Sequence, residues 1–210
     1  CFSDFKSSPP CISVNSVAMT PLHPAALDDE ALLAQCDLTK NRSSGPGGQH
    51  RNKVESQVHL FHTPTGIGAQ AAERRSSHEN KRVALRRLRL LLAVEVRMSV
   101  RAGEVGSELW RGRVKRGPKP KTEEIFPGLR VKAAGAGSGG RIQCSPEHAD
   151  FPALLAEARD VIADAGWDMK KAALRLGVSM SQLLKFVKDH PPAMVRLNAE
   201  RLKVGERALK

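Results

Sequence analysis

Two short alternating segments followed by a long amphipathic one constrain the fold of this chain most strongly. Apolar and polar residues alternate in Gln57–His62, which predicts a half-buried strand. A Thr-Pro-Thr-Gly turn then leads into Ile67–Ala72, and the two segments together predict a β-hairpin. Ser76–Glu79 has the spacing of a capping box, and an apolar stripe continues from there to about Arg101. The sequence therefore predicts an α+β fold, in which one long helix packs on a small antiparallel sheet.

Composition divides the remainder of the chain. Residues 1–23 are Ser/Pro-rich and are expected to be a disordered N-terminus, and residues 24–110 hold the sheet and its helix. Residues 111–145 are basic and then Gly/Ala-rich, which predicts a mostly flexible linker. Residues 146–210 have helical periodicity with a Gly turn and a Ser cap, a pattern typical of a small all-α, helix-turn-helix-like domain. We expect translation to start at Met19, the first methionine.

The positive charge of the chain is concentrated in one stretch. Between Lys40 and Lys121 there are 19 Lys or Arg and 6 Asp or Glu, whereas the rest of the chain has 15 basic and 16 acidic residues. The net charge of +12 thus comes from that stretch alone. A basic surface of this kind indicates a polyanionic partner, most commonly nucleic acid. A merely soluble, charged domain is the alternative interpretation.

Several classes of protein do not fit the composition. The 4 cysteines include no C-x-x-C pair, which argues against a disulfide framework and a zinc site. We therefore expect no metal or cofactor, and a reducing, cytoplasmic location. No apolar run approaches the about 20 residues of a membrane span, so no membrane partner is expected. His59 and His62 are expected at the surface or on a face of the sheet, Trp110 and Trp167 as packing anchors, and the chain as a monomer.

The segment from Arg42 to Lys53 has the composition of a loop that works by positioning. Gly47 and Gly48 free the backbone to lie against a partner, because they have no Cβ. Gln49 adds an uncharged amide that can both donate and accept. No convincing general base lies in the loop. Such a loop suits chemistry in which backbone donors and geometry act on a water that another molecule helps to hold.

These residues, with their surroundings, resemble the GGQ domain of class I peptide chain release factors. The similarity covers Leu38 to Arg101 in that family's order and spacing. The segments that carry it are Arg42 to Asn52 with Lys53 and Glu55, then Pro64 to Ile67, and then Arg75 to Lys81.

The resemblance implies ribosome-dependent hydrolysis of the ester that joins a nascent peptide to its tRNA. Gly47 and Gly48 would hold the loop, the Gln49 backbone N–H would donate to the oxygen that gains charge, and the Gln49 side chain would shape the water site. Large-subunit rRNA and P-site peptidyl-tRNA are the implied partners, with a glutamine methyltransferase that modifies Gln49. The residues expected to contact RNA or the ribosome are Arg42, Arg51, Lys53, Arg75, Ser76, Lys81, Arg82, Arg113, Lys115 and Arg116.

The sequence is most similar in organisation to the codon-independent, ribosome-rescue members of that family, because no segment could form a codon-reading domain. Rescue members insert a basic C-terminal tail into an empty mRNA channel. Two candidates exist here, and both could instead be simply solvated. They are the run Arg111 to Lys121 and the terminal group Arg196, Arg201, Lys203, Arg207 and Lys210.

Two other functions stay open at this point. The chain could be a nucleic-acid-binding regulator that uses the helix-turn-helix, whose second helix is predicted over Met180–Asp189 with Gln182, Lys185 and Lys188. It could also be a ribosome-associated protein without catalytic activity. The intact Gly-Gly-Gln sequence argues against the second alternative.

Overall fold

A computed structural model describes residues 22–42, 55–100, 106–115, 122–126, 129–132 and 140–209, and for 122–126 and 129–132 it describes the backbone alone. The predicted disorder of residues 1–21 and the suggested start at Met19 lie outside this range. His23 does not fit the predicted disordered N-terminus, because it is 9% exposed and accepts a hydrogen bond from Ala25 N, which begins a 3₁₀ turn over Pro24–Ala26.

A three-stranded antiparallel sheet forms the first half of the molecule. Its strands are β1 (Cys36–Asn41), β2 (Gln57–His62) and β3 (Ile67–Ala71), in the order β1-β2-β3. The predicted hairpin is therefore confirmed. Strand β1, which follows the short helix α1 (Asp29–Ala34), was not predicted, because it is an exposed edge strand with no apolar alternation.

One long helix covers this sheet. Helix α2 spans Ser77–Glu95 and buries Leu88 and Leu92 against the sheet residues Val58 and Leu60. The α+β fold class is thus confirmed. Two details of the helix prediction are wrong. The helix ends at Glu95 rather than near Arg101, and Ser76 makes no side-chain capping hydrogen bond.

The predicted linker over 111–145 has ordered structure in its described part. Helix α3 runs from Glu108 to Arg113 and continues directly into β4 (Val114–Lys115). Strand β4 pairs with β7 (Arg141–Ile142), and β5 (Thr122–Phe126) pairs with β6 (Leu129–Lys132). A mostly flexible linker is therefore wrong for these residues, which backbone hydrogen bonding holds in two antiparallel strand pairs.

The C-terminal part is helical, as the periodicity predicts. It consists of α4 (Phe151–Asp164), α5 (Met169–Arg175), α6 (Met180–Lys188) and α7 (Pro191–Lys203). Gly177 has φ +67° between α5 and α6, a backbone conformation that glycine adopts without strain.

The two halves share one hydrophobic core. Helix α4 packs on α2, and Trp110 at the end of α3 lies edge-on to Phe186 of α6, with ring centroids 6.0 Å apart. The indole N–H of Trp110 donates to the Leu176 carbonyl at 3.0 Å. Trp110 is therefore the packing anchor that the sequence predicts. The division into domains at 24–110, 111–145 and 146–210 stays a prediction.

Candidate functional site

The segment that contains the Gly-Gly-Gln sequence connects β1 to β2. Asn41 pairs with Gln57 at the last position of the β1–β2 register, so the two ends of this connection lie side by side. Gly47, Gly48 and Gln49, together with Arg51 and Lys53, fall within 43–54 and lie outside the described residues. The expectations for these five residues stay predictions, and the structure defines the sheet edge from which the connection starts.

An ion pair joins the two ends of the connection. Nε of Arg42 lies 3.6 Å from Oε1 of Glu55, and both side chains are more than half exposed, at 66% and 54%. An exposed pair of this kind stabilises a fold by little, about 0.2–1 kcal/mol. Arg42, expected from the sequence to contact RNA, thus lies at the base of the connection with an acidic neighbour.

Asn80 fixes the end of the connection that enters β2. It is fully buried in the first turn of α2, and its Nδ2 donates to the Ser56 carbonyl at 2.6 Å and to the Arg74 carbonyl at 2.8 Å. Its Oδ1 accepts from Arg74 N at 2.9 Å. Three hydrogen bonds to two backbone segments satisfy the amide and hold those segments together. Sequence analysis did not single out Asn80, although it lies within the quoted segment Arg75 to Lys81.

The basic and polar residues expected next to Asn80 lie at the surface. Arg75, Ser76 and Arg82 are exposed, and Lys81 is half-buried. They occupy the start of α2, beside the base of the β1–β2 connection. The structure thus brings four of the expected RNA contacts close to the end of the connection that Asn80 holds.

Comparison with known proteins agrees with this arrangement. Residues 33–132 match the RF-1 domain. Peptide chain release factor 1 of Acidiphilium cryptum is 42% identical over 82 residues, which are 38% of this chain and 23% of the relative. Peptide chain release factor 2 of Wolinella succinogenes is 38% identical over 95 residues, 45% of this chain and 26% of the relative. Residues 33–132 of the chain are therefore an RF-1 domain of the class I peptide chain release factor family.

The similarity of this release factor family member to its relatives is local. Peptide chain release factor 2 of Variovorax paradoxus is 56% identical over 48 residues, 23% of this chain and 13% of the relative. The first matching relatives are aligned over about a quarter to a third of their own length. The family membership therefore rests on the RF-1 domain, and the helices α4 to α7 lie beyond the matched residues 33–132.

Several arginines of this release factor segment have internal partners. Arg86 donates to the carbonyls of Pro146 and Glu147, and Arg89 donates to Ala25 O and to Asp29. Arg87 pairs with a Glu73 oxygen at 2.7 Å. The charge excess of the sequence is thus partly neutralised in the fold, and Arg82 is among the cations without a carboxylate partner in the described part.

The basic residues expected to contact RNA at the end of α3 and after it have different environments. Arg113 donates to Asp150 at 2.6 Å and contacts His148, so it holds the end of α3 to the start of α4. Its expected RNA contact is therefore not its main role in the fold. Lys115 is exposed, and Arg116 lies outside the described residues.

Parts of both candidate tails of the ribosome-rescue interpretation are held within the fold. Arg111 and Arg113 belong to α3 and Lys115 to β4, so this run does not begin as a free tail. Arg201 is 6% exposed and donates to the carbonyls of Trp167 and Arg207. Its predicted role in a solvated basic tail is wrong, because it holds the C-terminus against α7.

Two histidines, His62 and His23, are buried. His62 is fully buried, with Nδ1 2.7 Å from Thr65 Oγ1 and Nε2 3.0 Å from Gln35 Oε1. His62 thus lies on a face of the sheet, as expected, and it is buried because α2 covers that face, which His62 shares with Leu60. Burial lowers the pKa of His62. Burial also lowers the pKa of His23, to about 4.

Neither a metal cluster nor a membrane span is found in the part of the chain that the structure describes. No three His, Cys, Asp or Glu side chains there are grouped to hold an ion. The helices there are too short or too polar to cross a bilayer.

Proposed function

We propose that this chain hydrolyses the peptidyl-tRNA ester on the ribosome, with Gly47, Gly48 and Gln49 as its catalytic segment. One observation carries the proposal. The connection that contains Gly-Gly-Gln begins and ends at a single strand pair, Asn41–Gln57, and a buried amide fixes its second end. A segment anchored in this way can position one backbone donor without supplying a general base.

The expected chemistry uses water as the nucleophile. The water oxygen forms a bond to the ester carbonyl carbon, and the bond from that carbon to the tRNA ribose oxygen breaks. The products are a peptide with a free carboxyl group and a tRNA with a free hydroxyl. The Gln49 backbone N–H would donate to the oxygen on which negative charge develops, an arrangement that can contribute about 100-fold to 1,000-fold in rate.

The residues around the base of the connection support an RNA-lined partner. Arg75, Ser76 and Arg82 are exposed beside it. In the proposal these residues and Lys81 contact large-subunit rRNA, together with Arg42, Arg51 and Lys53. Such contacts to phosphates orient a protein without reading base sequence.

A single-turnover peptide release assay tests the function. Gly48→Ala should lower the release rate at saturating protein at least about 100-fold, because the added Cβ would displace the Gln49 N–H from the oxygen that gains charge. Gln49→Ala keeps that N–H and should lower the rate because it removes the side chain that shapes the water site. Both variants should retain ribosome binding by co-sedimentation. Gln143→Ala and Gly112→Ala are matched controls, because Gln143 is exposed and a Cβ on Gly112 would meet no atom within 4 Å. Normal release by either Gln49→Ala or Gly48→Ala would refute the mechanism.

We further propose that release does not depend on a stop codon. Helix α4 packs directly onto α2, and the helices α4 to α7 lie beyond the residues 33–132 that match the family, so this chain has a second half unlike the matched portion. Ribosomes with a stop codon, a sense codon or a truncated message in the A site should then be hydrolysed at similar rates. A strong preference for the stop codon would contradict this part of the proposal and leave the hydrolase activity intact.

A nucleic-acid-binding regulator is the alternative function. Helices α5 and α6 do form a helix-turn-helix arrangement, as predicted from the sequence. Sequence-specific retention of one DNA duplex by the full chain, with no release activity, would favour this alternative.

A further inference from the structure

The second helix of the helix-turn-helix presents an unneutralised face. In α6, Leu183, Phe186 and Val187 point into the core. The opposite face shows exposed Ser181, Lys185 and Lys188, at the spacing of one helical stripe. Packing within the chain leaves this stripe free to meet a partner.

A strand pair is attached to the turn that precedes this helix. Gly140 N donates to Gly177 O at 2.8 Å, and Ser179 N donates to Gly140 O at 3.4 Å. Ser179 is the N-cap of α6, and Gly140 directly precedes β7. The β4–β7 pair is therefore fixed to the start of α6.

Gly140 permits this attachment because it has no side chain. A Cβ on Gly140 would lie 2.4 Å from Val114 Cγ1 and 3.0 Å from the Gly177 carbonyl oxygen. Both distances are shorter than ordinary van der Waals contact. Any other residue at this position would push β4 or the turn away.

The attached strand pair carries two cations directly opposite each other. Lys115 and Arg141 are partners in the β4–β7 register, and both are exposed. Like charges at opposed positions of a strand pair destabilise it. Among the side chains that the structure describes, neither has a carboxylate partner, unlike Arg113 two residues before Lys115. The arrangement fits an external anion that offsets the repulsion.

The lysines of the α6 stripe also lack a carboxylate partner among the described side chains. Lys185 and Lys188 form no ion pair with the described carboxylates, and the exposed Asp189 beside Lys188 is the acidic group on this end of α6. By contrast, Arg175 of α5 pairs with Asp164 at 2.5 Å. Four cations without an ion-pair partner among the described side chains thus lie on two elements that meet at Ser179, and they are Lys115, Arg141, Lys185 and Lys188. We call them the basic surface.

The chemistry of this basic surface favours backbone contacts over base recognition. Helices that read DNA bases place Arg or Lys on guanine and Asn or Gln on adenine, and Lys and Ser also serve as phosphate contacts. Here α6 offers Lys point charges, a serine, and only one amide, the half-buried Gln182. Lysines on two joined elements suit the phosphates of a duplex. We propose that the basic surface binds the phosphate backbone of double-stranded RNA, as a second ribosomal contact that rests on the proposed function.

Binding of the full chain to a fluorescently labelled 20-base-pair RNA duplex tests this inference. At about 0.15 M salt, the quadruple variant Lys115→Gln, Arg141→Gln, Lys185→Gln and Lys188→Gln should bind at least about tenfold more weakly, with a smaller salt dependence. Lys170→Gln with Lys171→Gln is the control, since both are exposed at the start of α5 and neither belongs to the basic surface. Unchanged affinity and salt slope in the quadruple variant would overturn the proposal. The proposal would also be overturned if the quadruple variant lost binding to a DNA duplex of the same sequence and still bound the RNA duplex normally.

Gly140→Ala tests the attachment separately. It should weaken RNA binding, whereas Gly112→Ala should not; circular dichroism establishes that each variant is folded. If Gly140→Ala does not fold, the quadruple variant still decides the question, because its four substitutions are at exposed positions.

A release assay separates this inference from the proposed function. The quadruple variant should need about tenfold more protein for half-maximal release, with an unchanged maximal rate. Gln49→Ala should show the opposite pattern. Should Gln49→Ala release peptide normally, the hydrolase mechanism fails, and the duplex-binding measurement still tests the basic surface.

Discussion

The sheet unit (22–95) and the helical unit (106–115 with 140–209) are built in different ways. The sheet unit has a thin aliphatic core and one polar, solvent-facing sheet surface, where Thr39, His59 and Gln70 are partners across the strands. The helical unit has an aromatic cluster, in which Phe151 and Trp110 both contact Phe186. Large aromatic side chains bury more apolar area than aliphatic ones. We infer that the helical unit supplies stability, and in the proposed function the sheet unit supplies the chemistry.

The two units meet at a buried arginine that fits neither description. Arg159 of α4 is fully buried and donates to the Val94 carbonyl at the end of α2. Its Nε and second terminal nitrogen have no hydrogen-bond partner among the residues that the structure describes. Burial lowers the pKa of Arg159 to about 9. The hydrogen bond of Arg159 to Val94 therefore links the two units, although burial of the arginine charge costs free energy.

Removal of Trp110 should have the largest effect on the balance between the units. Trp110→Ala should lower the free energy of unfolding by about 3–5 kcal/mol, because a large cavity forms and the Leu176 carbonyl loses its donor. Urea unfolding followed by circular dichroism measures this loss. Leu174→Ala is the control: Leu174 is 82% exposed and its substitution should stay within about 0.5 kcal/mol. A loss below about 1 kcal/mol for Trp110→Ala would contradict the inference that the aromatic cluster stabilises the molecule.

Acidification should weaken the sheet unit through His23. The pKa of His23 in the fold is about 4 and its ordinary value is 6.5, so protons bind more tightly to the unfolded chain. The stabilising contribution is complete above pH 6.5 and is lost as the pH falls toward 4, by up to about 3 kcal/mol. His23→Asn, which keeps a capping side chain without titrating, should lack this part of the pH dependence. Parallel unfolding curves of both proteins from pH 7 to pH 4.5 would contradict the assignment.

Asn80→Ala should separate positioning from stability. Loss of its three hydrogen bonds should cost about 2 kcal/mol, because the Ser56 and Arg74 backbone groups stay buried without partners. In a release assay at a temperature where the variant is folded, the maximal rate should fall about tenfold. Half-saturation with ribosomes should not change. Asn198→Ala, which loses two hydrogen bonds to Leu209 far from the sheet, should leave the release rate unaltered.

Arg159→Met should have the smallest effect. Removal of the buried charge relieves its desolvation, while the Val94 carbonyl loses one donor, so the free energy of unfolding should change by less than about 1 kcal/mol. Equilibrium unfolding in urea measures this. Asp160→Ala is a useful comparison, since it leaves Arg97 without its partner at 3.5 Å and should destabilise more. A loss above about 2 kcal/mol for Arg159→Met would mean that the guanidinium stabilises the junction.

Sequence patterns predicted the strands and helices that bury one face and expose the other. The hairpin β2–β3 and the helix predicted over Met180–Asp189 were confirmed to within two residues of their ends, because apolar periodicity or a cap marks each of them. Strand β1 was missed because its residues from Asp37 to Asn41 are exposed and polar. The strands β4 and β7 have two residues each, too few for any period to be visible.

The candidate site was predictable in its motif and not in its supports. Gly47, Gly48 and Gln49 are identified by residue type and order alone, and their roles stay predictions. Asn80 was missed because its partner Ser56 lies 24 positions away in the chain, a contact that no local pattern encodes. Arg113 was assigned to RNA for its charge, whereas its nearest anion is Asp150, 37 positions away.

The register between Asn41 and Gln57 has a consequence for the reach of the molecule. Gln49 is eight residues from each of these two partners, and thus stands at the midpoint of the span they close. Eight extended residues cover at most about 27 Å, and no other residue of the span could travel further from the sheet edge. An insertion on one side alone would not extend this reach, because the arm of eight residues on the other side would still limit it, so the shorter arm sets how far the amide can reach into a partner.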